Sequence, residues 1–123
     1  MTTASKITIR SSDTLVTVEY CGHITATDLG MHTADVEALQ RTIQPGFTVL
    51  TDLTGLESMD LDCAPILSRI MELFNRLGTA RVVRVIPDPK KDIGLGILSL
   101  FHYKSGVAVN TVATRAEAAH LVA

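Results

Sequence analysis

Five short β-prone runs, separated by turn residues and by segments of helical period, constrain this chain more than any other feature of it. Lys6-Ile7-Thr8-Ile9-Arg10 and Leu15-Val16-Thr17-Val18-Glu19-Tyr20 alternate with the period of two expected of half-buried strands. Ser11-Ser12-Asp13 between them is turn chemistry, so a hairpin is expected, and Gly22 is read as the end of its second strand. Phe47 to Leu53 reads as a buried third strand. Arg81 to Ile86 reads as a fourth, broken by Pro87-Asp88-Pro89, and Val107 to Val112 as a fifth.

The intervening segments carry helical spacing. In the first, Thr25 and Asp28 stand at capping-box distance and Leu29, Val36, Leu39 and Ile43 recur on one face until Pro45-Gly46. In the second, Ile66, Ile70, Leu73 and Leu77 form a stripe with Leu67, Met71 and Phe74 beside it. Pro65 places the start at about Asp62 or later, and Gly78 is the expected stop. Ile93, Ile97, Leu100 and Phe101 suggest a third helix despite Gly94 and Gly96. Thr114-Arg115-Ala116-Glu117 is a capping box opening a short last helix through Leu121. The expected order is ββαβαβαβα: one α/β domain over residues 1–123, with a mixed, mostly parallel five-stranded sheet covered by helices.

Composition narrows the function. A chain of 123 residues makes one domain with a real core, and a 20% charged fraction argues against disorder. The formal charge of -2 and the absence of Trp leave neither a basic footprint nor stacking platforms for nucleic acid. Met1 to Arg10 lacks the apolar core of a signal peptide, and Ile93 to Phe101 is far shorter than the ~20 residues that cross a bilayer. A cytoplasmic protein with two reduced thiols, Cys21 and Cys63, is therefore expected.

In this order of elements the chain resembles the STAS family, the domains shared by sulphate transporters and anti-sigma-factor antagonists. Three segments carry the resemblance. Val16 to Thr25 is similar to the family's second strand with its Gly before the first helix. Val49 to Leu56 is similar to the central strand, with Asp52 near its end. Met59-Asp60-Leu61-Asp62-Cys63-Ala64 stands where the family has an Asp-Ser-Ser/Thr-Gly turn opening the next helix. The closing Thr114 to Ala119 also resembles the family's last short helix. The resemblance implies a regulatory domain whose turn hydroxyl takes a phosphate from a kinase that is also its partner. Here Leu61 and Asp62 occupy the two hydroxyl positions and Cys63 replaces the glycine, so the resemblance is to a divergent branch without that serine.

Two readings of Asp62 follow. It is a helix N-cap, worth typically ~1 kcal/mol, or a fixed negative charge on free helix N–H groups in place of a phosphate. Cys63, near the same helix end, is a candidate for a lowered thiol pKa. The main expectation is a non-catalytic regulatory or scaffolding domain that binds a protein partner. Its contact surface would comprise Ser58, Met59, Asp60, Leu61, Asp62 and Cys63, with Ser58 as a hydroxyl open to modification.

Two alternatives stand beside it. A small ligand, lipid or nucleotide, would sit between the sheet and the Gly-rich third helix. An enzyme would use Asp52, Asp60 and a histidine. His23, His32, His102 and His120 show no close metal-ligand pair, His32 reads as a satisfied or half-buried side chain, and no cofactor is called for. The apolar Ile93 to Phe101 segment is expected to be buried or to form a homodimer contact.

Overall fold

The computed structural model describes residues 5–88, 103 and 106–122. Its strands are β1 (Lys6–Ser11), β2 (Leu15–Ile24), β3 (Thr48–Asp52), β4 (Leu56–Met59), β5 (Arg81–Val85) and β6 (Ala108–Val112). Its helices are α1 (Ala26–Ala38), α2 (Cys63–Leu77) and α3 (Arg115–Val122), with a 3-10 turn at Leu39–Arg41. The third helix expected over Ile93 to Phe101 lies outside the described residues.

The sheet runs β1-β2-β3-β5-β6. β1 is antiparallel to β2, and every other pairing is parallel. Six strands replace the expected five because β2 is longer than read and has two successive partners along one edge. Residues 15–19 pair with β3, and Gly22 to Ile24 pair with β4. Gly22 therefore does not end β2. At φ 75° it makes a register shift before His23, a conformation glycine adopts without Cβ strain, and the strand continues past the bulge. Between β3 and β4, Leu53-Thr54-Gly55 turns out of the sheet, and the Gly55 carbonyl accepts the Gly22 N–H at 2.9 Å.

The alternation along the strands separates two apolar layers. Val16, Val18, Tyr20, Val49 and Val82 face α1 and α2, where Leu29, Val36, Leu67, Ile70, Met71 and Phe74 close the main core. Leu50, Val83 and Val85 face the other side, covered by Ala118 of α3. On α2 the buried stripe centres on Leu67, Ile70, Met71 and Phe74, while Ile66, Leu73 and Leu77 lie at its margin.

Of the expected caps, that of α1 forms in full. Thr25 Oγ1 accepts the Asp28 N–H and the Asp28 carboxylate accepts the Thr25 N–H, both at 3.2 Å. At α3 the Glu117 N–H reaches Thr114 Oγ1 at 3.1 Å, but the Glu117 carboxylate meets the Thr114 hydroxyl, so only half of that box closes. Gly78 ends α2 as its C-cap in the left-handed conformation.

Candidate functional site

Parallel strands followed by helices bring strand C-termini and helix N-termini to one edge of the sheet, where α/β folds commonly place their sites. Here that edge gathers the ends of β2 and β4, the loop Asp60-Leu61-Asp62, and the first turns of α1 and α2. The Ile24 carbonyl fastens it. It accepts the Asp60 N–H at 3.0 Å and the Cys63 thiol at 3.7 Å, tying the loop and the start of α2 to the last residue of β2.

That fastening divides the six residues singled out from the sequence. Met59 and Cys63 point into the core, 7% and 1% exposed, and support the loop from beneath rather than face a partner. Ser58, Asp60, Leu61 and Asp62 are exposed, and Leu61 presents a large apolar side chain at 83% exposure. Burial, then the nearby Asp60 carboxylate, pushes the Cys63 thiol up, opposite to the lowering its helix position suggested.

Asp62 occupies the N-cap position of α2 but makes no capping hydrogen bond. The reason lies in the backbone. The Cys63 N–H bonds the Asp60 carbonyl at 3.0 Å, the Ala64 N–H bonds the Leu61 carbonyl at 3.1 Å, and Pro65 has no N–H to offer. A tight turn thus uses the donors that a side-chain cap would need, so Asp62 stands at the helix end without the capping bond read from the sequence.

The register of β2 and β4 sets His23 opposite Ser58. His23 Nδ1 lies 2.5 Å from Ser58 Oγ, and Nε2 lies 2.9 Å from Asp60 Oδ1. A carboxylate only accepts, so in the neutral ring Nε2 carries the proton and Nδ1 accepts from the Ser58 hydroxyl. The His23 and Asp60 side chains are 44% and 47% exposed. Asp28 adds a second carboxylate close by. The Thr25 backbone N–H, then the Thr25 hydroxyl, holds its carboxyl below the usual range, with a contribution from His23. A groove of about 330 Å³ between β1 and α1, lined by Lys6, Asp28, Met31 and Asp35 among others, adjoins this edge through Asp28.

Sequence reasoning named Ser58 and Asp60 but did not join them to His23. The residues are far apart in the chain, and only β4, which was not foreseen, brings them together. Asp52 goes elsewhere. Its carboxylate accepts from the Thr54 N–H at 2.9 Å, the Thr54 hydroxyl at 2.6 Å and Arg115 at 2.9 Å. Burial alone would raise its pKa, but Thr54 and Arg115 hold it below the usual carboxylate range. Asp52 is therefore a structural anchor, not a partner of Asp60. Among the described residues, no group of three or more His, Cys, Asp or Glu is placed to hold a metal ion, and no helix is long and apolar enough to cross a membrane.

An α/β sheet of this order with helices so arranged is a SpoIIAA-like fold, the fold of STAS domains. An uncharacterized Shewanella loihica protein of the DUF3478 family matches it with a TM-score of 0.73 at 18% identity, covering 100% of this chain and 98% of that one. The anti-sigma factor antagonist SpoIIAA in its unphosphorylated form matches with a TM-score of 0.62 at 19% identity over 97% of each chain. An anti-sigma factor antagonist from Mycobacterium paratuberculosis matches with a TM-score of 0.53 at 19% identity, over 97% of this chain and 94% of that one. No protein-family model matches the chain, and no curated protein matches it in sequence.

Proposed function

We propose that this chain is a non-catalytic regulatory domain that docks on a protein partner through Leu61 and the flanking Asp60 and Asp62. It would work without a phosphorylatable hydroxyl at the start of α2. The observation that carries this reading is Leu61, 83% exposed on a loop that Ile24 fixes to the sheet. An apolar side chain held out in water by ordered backbone is a ready anchor for a partner's pocket, and the acidic flanks favour a basic rim around it. Likeness of fold to anti-sigma factor antagonists supports a regulatory role, and two free thiols are in keeping with a cytoplasmic setting.

Burying a leucine contributes roughly 1.5–3 kcal/mol, or about tenfold or more in affinity. Affinity capture from source-cell lysate, with native chain and Leu61→Asp as parallel baits, is therefore expected to lose at least about tenfold of the specific partner with the variant. Asp62→Ser should alter capture without loss of fold, read by circular dichroism. Equal recovery of every specific protein on all three baits would refute the docking site.

The alternative of a small ligand between the sheet and the third helix falls on Ile93 to Phe101, outside the described residues, and beside α2 the sheet leaves little space. The cavity enclosed by Tyr20, Met59, Leu67, Phe74, Arg84 and Tyr103, among others, measures about 30 Å³. That is room for about one water molecule, against roughly 300 Å³ or more for a typical ligand site.

A further inference from the structure

We propose that Ser58 is a base-activated hydroxyl that accepts an acyl group from an uncharged activated ester. The His23 array carries this without any need for docking through Leu61, although Asp60 belongs to both. A serine hydroxyl is a weak nucleophile until an adjacent base takes its proton. His23 Nδ1 is in contact with Ser58 Oγ, and Asp60 engages the opposite ring nitrogen, fixing the tautomer that leaves Nδ1 as the acceptor. What matters for this relay is that serine and carboxylate sit on different nitrogens of one ring, not which nitrogen each takes. All three side chains reach solvent, so a small electrophile can approach.

The charges nearby select the donor. Asp60 bonds His23 directly, Asp28 on α1 interacts with it, and Asp62 stands in the same loop. This field disfavours polyanionic phosphoryl donors and leaves neutral acyl donors unhindered. In the step itself, Ser58 Oγ bonds to the ester carbonyl carbon while its proton passes to His23 Nδ1. Collapse of the tetrahedral adduct breaks the bond to the alcohol, which leaves with that proton. The products are an ester on Ser58 and a free alcohol, and nothing is oxidised or reduced.

Incubation of the full chain with p-nitrophenyl acetate, followed by peptide mass spectrometry, tests the assignment. Acetyl is expected on Ser58 and absent from that peptide in Ser58→Ala, which removes only an exposed hydroxyl. His23→Gln should slow Ser58 acetylation by about a hundredfold or more, with the fold checked by circular dichroism. Asp60→Asn should slow acetylation at Ser58 while leaving acetylation of lysines unchanged. Acetyl confined to lysines and the α-amino group would overturn the proposal, as would a Ser58 rate indifferent to His23→Gln.

Discussion

His32 stands on the inner face of α1, 3% exposed, with its ring edge-on to Tyr20 at 6.1 Å between centroids. Its Nδ1 is 3.8 Å from the Asp35 carboxylate, and Nε2 has no hydrogen-bond partner among the described residues. Burial holds its pKa below the ordinary histidine value, with Asp35 opposing. The unfolded chain therefore takes the proton more readily. The histidine's penalty is absent above the unfolded value of ~6.5 and grows as pH falls from there through the folded value. The urea midpoint is expected to fall between about pH 8 and about pH 5.5, and His32→Phe should remove most of that fall. An unchanged acid loss in the variant would place its origin elsewhere. The sequence marked His32 as close to an apolar stripe. The reading of it as satisfied or half-buried is corrected: the ring is fully buried, against Tyr20 from a different element, and its Nε2 is unpartnered among the described residues.

β4 is the element least legible in the chain. Its four residues have their buried positions at the two ends, Leu56 and Met59, and so show no alternation. Gly55 before it reads as a turn, yet its role is spatial. A Cβ there would stand 2.8 Å from the Cys21 sulfur, closer than such atoms approach. Gly55→Ala is expected to cost about 1–3 kcal/mol in chemical denaturation, the usual range for overpacking. Adding Cys21→Ala should recover most of that loss, and failure to recover it would mean that the backbone, not the sulfur, sets the constraint. By contrast α1 and α2 were plain. Thr25 with Asp28, the helical spacing around Ile70 and the stop at Gly78 are local signals, each confined to a few turns of chain, although the stripe read through Ile66, Leu73 and Leu77 lies at the margin of the buried one.

Across the molecule, the strand and helix order was readable because each strand has its own period and its own punctuation. The pairing of β2 with both β3 and β4 was not, since it depends on a bulge at one glycine. Among the described residues the back layer is thin. Only Ala118 of α3 is buried, and the helix is secured by Arg115 on Asp52 at 2.9 Å and by Arg81 on the Leu121 carbonyl at 2.7 Å. Asp52, held below the ordinary carboxylate value, contributes stability that is present above ~3.9 and lost as pH falls through its folded value. Arg115→Gln weakens that hold, so acid unfolding followed by circular dichroism should begin at a higher pH than in the native chain. Coincident curves would show that Thr54 alone sets the Asp52 carboxyl.

One carbonyl, that of Ile24, has a consequence for how the loop can be used. A partner that grips Leu61 pulls, through Asp60 and Cys63, on the terminal rung of the longest strand. Such a latch leaves little slack for the loop to remould itself. On the proposed docking, shape adjustment would fall to the visiting molecule, and the fit would be decided before the two meet.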